Sequence, residues 1–320
     1  MGESLSSPAV APRRVLLDTD LSMGAPGSEI DDGFALALAL ADPALSVELV
    51  STVNGNTDVG TATELTTQLL ARLGRPDIPV VRGASSPLRG ASRGRATGAG
   101  FSPRRHAAVE IAERVLAAPG ELTIVAIGPL TNVALALLLE PRVAEAVREI
   151  VVMGGVFLRH TNLAAMPGEF NIWVDPDAAA IVFDSGAPLR CVGLDVTLRV
   201  RLTDEDAARM AAGAGRFGPF AGACTREWIA RCAAANPGDA TEQGSCAMHD
   251  PLAVAAVAHP ELLTWRPARV AVETASPVTR GVTLADLLTS ADPPTPNCRI
   301  ASDVDVEAFR EFFLTHLAGL

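Results

Sequence analysis

The chain contains no lysine and no tyrosine, so all 26 of its basic residues are arginine. That absence excludes mechanisms built on a Schiff-base lysine, a phosphate-loop lysine or a tyrosine acid. Cysteine is scarce and unpaired in pattern: Cys191, Cys224, Cys232, Cys246 and Cys298 are odd in number, scattered, and never form a C-x-x-C pair. That pattern argues against a disulfide framework and a zinc site, and a reducing cytoplasm is expected. No apolar run approaches the length of a membrane span, so a soluble protein with no membrane partner is expected. Residues 1–12 are rich in Ser, Ala and Pro but lack an apolar core, which reads as a disordered tail and not a signal peptide. Positive charge is also short. The formal net charge of −11 repels phosphate backbones and anionic membranes, which argues against nucleic acid as a partner. A neutral or cationic small substrate, or a divalent cation, suits that balance better.

What is present is a long, apolar chain. With 320 residues and 48% hydrophobic content, a large core is available and wholesale disorder is excluded. Short apolar, β-branched runs at 15–17, 47–53, 78–81, 122–127, 150–153 and 189–194 read as strands. Between them, helical spacing covers 31–41, 61–73, 105–117, 130–139 and 176–183, several opening with the Asp, Thr or Pro that helix N-termini favour. Strands are expected again at 265–273, 282–288 and 300–304, with a closing amphipathic helix at 306–317. This alternation predicts an α/β fold, an open and mostly parallel sheet flanked by helices, in one domain over 13–320. Segment 83–103, dense in Gly, Ser and Arg, and segment 211–244, which mixes Gly, a Trp-bearing helix and an Asn-Pro-Gly turn, read as flaps.

In open parallel sheets, ligands bind where strands end. The first strand ends in Asp18, Thr19 and Asp20, and the next helix opens with Asp31 and Asp32. Asn54, Gly55 and Asn56 close the second strand, and Glu169, Phe170 and Asn171, then His249 and Asp250, follow later. Several acids at one sheet edge repel one another unless a cation neutralises them. The donors are nearly all oxygen, which points to calcium or magnesium and away from zinc. Taken singly, each piece has a plainer reading. Asp31 and Asp32 suit helix N-caps, Asn54–Asn56 suits a turn, Phe170 and Trp173 suit a core, and the arginines of 89–105 suit a solvated flap. Their co-occurrence at strand ends carries the functional reading.

The ordered motifs are more specific. Asp18-Thr19-Asp20 with Asp31-Asp32, Ser51 to Asn56, Gly128 to Asn132, Val152 to Gly155, Glu169 to Asn171, Asp175 to Ala179 and His249 to Ala253 resemble the nucleoside hydrolase family of the inosine–uridine-preferring type. Thr279 to Thr283 and Asp303 to Phe309 resemble its closing segments, so the likeness runs over almost the whole chain. The resemblance implies a Rossmann-like nucleoside hydrolase fold and calcium-dependent hydrolysis of a ribonucleoside's N-glycosidic bond. It implies calcium on Asp20, Asp32, Asp250 and the Ile127 carbonyl, with Asp20 also the general base. Asp31, Asn56, Asn162, Glu169, Asn171 and Asp250 would meet the ribose, and Asp18 would support the loop. His249 would act on the leaving base. A cytoplasmic homodimer or homotetramer for nucleoside salvage or catabolism is likewise implied.

Three departures from the family pattern stand out. Ten residues, 21–30, separate Asp20 from Asp31 where three are usual; they either bulge outward or form a wall of the pocket. The His-Gly expected after Pro87 and Leu88 is missing, with Arg95 to Gly98 near its place. The helix before His249 has no Tyr, leaving Trp228 as the residue expected to stack on a base. Two other readings compete. Asp18-Thr19-Asp20 also resembles a haloacid-dehalogenase-like phosphatase motif, although that family wants a later basic residue, usually Lys. A calcium-held nucleoside- or sugar-binding protein without turnover is the non-enzymatic alternative, against which the retention of Asp20 argues.

Overall fold

The computed structural model describes residues 11–89, 106–159, 166–213, 215–288 and 290–320. Among them, nine strands form one sheet: β1 (Arg13–Thr19), β2 (Leu45–Thr52), β3 (Val80–Arg82), β4 (Leu122–Ala126), β5 (Glu149–Met153), β6 (Leu189–Val192), β9 (Leu263–Val272), β10 (Thr283–Asp286) and β11 (Cys298–Val304). Their order is β10-β9-β11-β6-β5-β4-β1-β2-β3. Neighbours from β11 through β3 run parallel, and β9 pairs antiparallel with both β11 and β10. This is the open, mostly parallel sheet with a mixed edge that the alternating pattern predicts. A two-stranded antiparallel ribbon of β7 (Arg201–Thr203) and β8 (Ser245–Ala247), outside the expected strands, stands apart from this sheet.

The apolar strands are explained by burial on both faces. In β1, Val15 and Leu17 join one hydrophobic cluster while Leu16 joins the other. In β5, Val151 and Met153 face the first and Ile150 and Val152 the second. Alternate residues thus feed opposite cores, as strand geometry requires.

The helices are α1 (Asp31–Ala41), α2 (Val59–Arg72), α3 (Ala107–Ala117), α4 (Thr131–Leu139), α5 (Val143–Ala146), α6 (Phe170–Val174), α7 (Pro176–Phe183), α8 (Leu194–Thr197), α9 (Asp204–Ala211), α10 (Gly218–Ala235), α11 (His249–Ala258) and α12 (Val306–Leu317). Helices α1 and α11 are apolar nearly all round and pack against each other inside the first cluster. Helices of that composition are stable only when buried. The Trp-bearing helix expected within segment 211–244 is the 18-residue α10, packed on α9. Most of the other expected flap, the arginines beyond Arg89 and the tail residues 1–10 lie outside the described residues.

Strands β2 and β4 flank β1 on opposite sides. Because the chain order reverses there, the carboxyl ends of β1 and β4 diverge into separate loops and leave a crevice between them. The Asp18–Asp20 segment and Ile127 stand at that crevice, and the buried amino ends of α1 and α11 face it.

Candidate active site

The site assembles from several elements distant in sequence. Asp18 and Thr19 end β1, with Asp20 following. Asp18 is fully buried and holds the scaffold: its Oδ1 accepts from Ser51 Oγ at 2.5 Å and from Asn132 Nδ2 at 2.7 Å. Asn132 in turn donates to the Thr52 carbonyl and accepts from the Ala84 N–H, tying the ends of β1 and β2 to α4. Asp18 therefore supports the loop, as expected. Burial pushes its carboxyl group up to about 7, against the lowering by Asn132 and Ser51.

Asp20 turns the other way. Its Oδ2 accepts the Asn56 backbone N–H at 2.7 Å, and its Oδ1 is buried without a partner. Gly55 makes that approach possible, because a Cβ there would lie 1.9 Å from Asp20 Oδ2. The Asn54–Asn56 turn is thus more than a turn; it cradles the carboxylate.

Asp31 and Asp32 occupy the first turn of α1, and Asp250 the first turn of α11. Neither Asp31 nor Asp32 is an N-cap: Ile30 holds that position, with no side-chain cap, and Met248 does the same for α11. Uncapped helix amino ends attract negative charge, which helps to hold three acids there. Carboxylate oxygens of Asp31, Asp32 and Asp250 lie within 4.8 Å of one another. Thr19 Oγ1 donates to Asp32 Oδ1, and Asn56 Nδ2 donates to Asp32 Oδ2 at 3.2 Å. Asn56 therefore links Asp20 to that trio, which includes Asp31 where the motif reading had put Asp20.

The electrostatics are those of a site short of positive charge. Burial first, and then the surrounding acids, pushes the carboxyl groups of Asp32 and Asp250 well above the usual carboxylate range. Asp20 rises for the same reasons, against hydrogen bonds that lower it. Burial also raises Asp31, although His249 and backbone N–H groups oppose the rise. A cation placed among them would relieve each of these costs. Asp31 Oδ1 joins Asp20 Oδ1 as a buried oxygen without a partner. Oxygen-only donors with unspent lone pairs fit a hard divalent ion.

A cavity of about 200 Å³ opens beside these acids. Its polar wall is Glu29, Asp31, Asn56, Glu169, Asn171, His249 and Asp250; its apolar wall includes Ile127, Met153, Met166, Phe170, Leu194 and Leu198. Glu169 caps α6, taking N–H donors from Gly155, Asn171 and Ile172 at 2.8–3.1 Å. Asn171 Nδ2 donates to the carbonyls of Ile127 and Met153 at 3.1 and 3.3 Å, fixing both strand ends. A carbonyl oxygen has two lone pairs, so Ile127 keeps one for another partner. His249 Nδ1 meets Thr197 Oγ1 at 2.8 Å, and burial lowers its pKa, favouring the neutral ring. A broader groove of about 900 Å³ lies at the opposite, amino ends of the strands and contains none of the site's acids.

Two sequence expectations change here, and for residues 21–30 one of the two alternatives is taken. Trp228 does not line the cavity. It is half-buried on α10 and packs against the first hydrophobic cluster, because the buried face of that helix is Ala221, Thr225 and Ile229. Phe170 and Trp173, expected in the core, are half-buried; α6 buries Asn171 and Ile172 instead, and Phe170 becomes the aromatic ring of the cavity wall. Residues 21–30 do not simply bulge outward. They return Asp31 and Asp32 to the site and add Glu29 to its wall, a residue the motif reading passed over. Asn162 lies outside the described residues.

Residues 15–311 match the model of the inosine-uridine preferring nucleoside hydrolases. The chain belongs to this family. It is 36% identical over 318 residues to the non-specific ribonucleoside hydrolase RihC of Escherichia coli O7:K1 (strain IAI39 / ExPEC), covering 95% of this chain and 98% of that one. Two solved structures share the fold at 30% identity. The plant nucleoside hydrolase PpNRh1 superposes with a TM-score of 0.85, covering 97% of this chain and all 100% of its own. The purine-preferring ribonucleoside hydrolase from Gardnerella vaginalis gives 0.83, covering 96% and 98%. Family membership makes the chain an N-ribohydrolase, and the phosphatase and binding-protein readings give way to it. Among the described residues, no helix is long and apolar enough to cross a membrane.

Proposed function

We propose that this enzyme hydrolyses the N-glycosidic bond of ribonucleosides in a calcium-dependent reaction that yields ribose and the free base. Asp20, Asp32 and Asp250 would hold the ion through their side chains, and Ile127 through its main-chain carbonyl. The observation that carries the assignment is Asp20 Oδ1, buried without a partner, close to a trio of mutually repelling acids that includes Asp32 and Asp250. The chemistry that bound calcium supplies is an anchor for a vicinal diol and a lowered pKa for a water.

The protein's own groups do the rest. Asp20, whose Oδ2 is fixed by Asn56, accepts the proton of the attacking water through its free oxygen. Asp31 and Asn56 hydrogen-bond the ribose hydroxyls on one side, and Glu169 with Asn171 hold the sugar on the other, a task shared with Asn162. Glycosidic cleavage builds positive charge on the sugar, and the ring of carboxylates and amide oxygens stabilises it. With Nδ1 occupied by Thr197, His249 turns Nε2 to the leaving base. The reading also assigns the enzyme to nucleoside salvage or catabolism in the cytoplasm, supported by its five free cysteines. A single domain over 13–320 and a homo-oligomer complete it.

The test combines ribose release from a nucleoside panel with calcium titration of wild type and Asp250→Ala. Wild type is expected to release ribose only with calcium, and the variant to lose binding and turnover together. An Asp250→Ala protein that is active without metal would overturn the assignment.

A further inference from the structure

We infer that Glu29 is a specificity-determining residue that meets the leaving base and sets which bases the enzyme accepts. The inference rests on the reaction proposed above and concerns the half of the substrate which that reading leaves open.

The path of residues 21–30 is fixed on both sides of Glu29. Leu21, Met23 and Ile30 are buried in the first hydrophobic cluster. Ser28 Oγ donates to the carbonyls of Ser22 and Ala25 at 2.6 and 2.8 Å, and Ser22 Oγ donates to the carbonyl of Glu29 itself at 3.2 Å. The Gly27 N–H donates to Glu227 Oε1 on α10 at 2.6 Å. Gly33, in the first turn of α1, leaves space for Met23: a Cβ at Gly33 would lie 2.2 Å from Met23 Sδ. A segment held at so many points delivers its one acid to a defined place.

That place is the cavity. Glu29, Asp31 and His249 offer ligand atoms within 4.8 Å of one another, and all three line the same wall. Asn56 stands on the same wall as Glu29. Asp31, 3% exposed, lines the same wall. Since His249 is the group assigned to the leaving base, the carboxyl group beside it is within reach of the same base. With Trp228 away from the cavity, Phe170 supplies the aromatic contact, while Glu29 and His249 supply hydrogen bonds. Hydrogen-bonding groups buried against a substrate discriminate more sharply than apolar ones, because a wrong partner leaves them unmatched.

The experiment compares wild type, Glu29→Gln and Glu29→Ala on inosine, guanosine, adenosine, uridine and cytidine. It adds 4-nitrophenyl β-D-ribofuranoside, which carries the sugar but no base. Calcium binding by calorimetry and thermal unfolding accompany the kinetics. Glu29→Ala is expected to reorder kcat/KM among the five nucleosides. Its loss on the best of them should exceed its loss on the nitrophenyl riboside by at least tenfold, and Glu29→Gln should recover part of it, with calcium affinity and stoichiometry retained. Equal proportional loss on all substrates, or no loss on any, would overturn the inference. So would the disappearance of a bound cation equivalent, which would make Glu29 a metal ligand. Failure of the underlying reaction is told apart by wild type, which would then release no ribose from any nucleoside.

Discussion

Asn56 donates its backbone N–H to Asp20 Oδ2 at 2.7 Å. Its side-chain amide reaches Asp32 Oδ2 at 3.2 Å, so one residue orients two carboxylates from different elements. Removing the amide while keeping the backbone separates the two contacts. Asn56→Ala should raise the calcium Kd and lower kcat/KM by about 10–100-fold, the usual effect of losing a group that orients a metal ligand. Calorimetric titration and ribose release check this. A calcium Kd within twofold of wild type would mean that the amide does not orient Asp32.

Gly55→Ala tests the other side of the same cradle. The added methyl would sit 1.9 Å from Asp20 Oδ2 and 2.9 Å from its Cβ, so either the Asp20 side chain or the loop after β2 must shift. Overpacking of this kind costs about 1–3 kcal/mol. Denaturant unfolding should show that loss, with activity falling further than stability because Asp20 is displaced. Wild-type activity in Gly55→Ala would show that the loop yields freely.

Removing the cation should reveal the repulsion it offsets. Burial raises Asp18 and Asp20 to about 7, and raises Asp31, Asp32 and Asp250 as well. An unfolded Asp titrates near about 4, so between roughly pH 4 and 7 the metal-free folded state binds more protons than the unfolded state. Stability of the chelated protein should therefore fall as pH rises through that window. Calcium should reverse the trend, and the rise in Tm that it produces should be larger at pH 7.5 than at pH 5. A calcium-induced shift independent of pH would contradict the assignment.

Asp206 gives the opposite sign far from the chemistry. Burial would raise its carboxyl group, but the Thr203 backbone N–H and hydroxyl, together with the Arg310 guanidinium, outweigh that and hold it below the ordinary value. Its contribution is fully present above the unfolded Asp pKa and is lost as pH falls through the lower folded value. Asp206→Asn should cost about 1.5–3 kcal/mol at pH 7, as expected for hydrogen bonds to a charged group, and much less in strong acid. Thermal unfolding against pH measures it, and kcat should not follow.

The readable parts of the sequence were those where local pattern and final environment agree. Helices α1, α7 and α12 have the bounds that their spacing predicts, because each begins at an Asp, at an Asp-Pro step or just after an Asp cap. The acids at the end of β1 and the start of α1 were legible because strand and helix signals bracket them. Glu29 was not. It is one acid among Gly, Pro and Ser, and its position depends on Met23 finding space at Gly33 and on Glu227, 200 residues away from Gly27. The aromatic wall is illegible in the sequence for a related reason. Periodicity cannot say that a five-residue helix buries Asn171 and turns Phe170 to the cavity, while an 18-residue helix turns Trp228 to the core.

The contact between Gly33 and Met23 makes the loop and the helix that follows it inseparable. Transplanting residues 21–30 into a relative with any side chain at the position of Gly33 would leave Met23 without a socket and Glu29 without an address. Swapped together with Gly33, the segment becomes a portable cassette through which base preference can be exchanged between otherwise unrelated pockets on this scaffold.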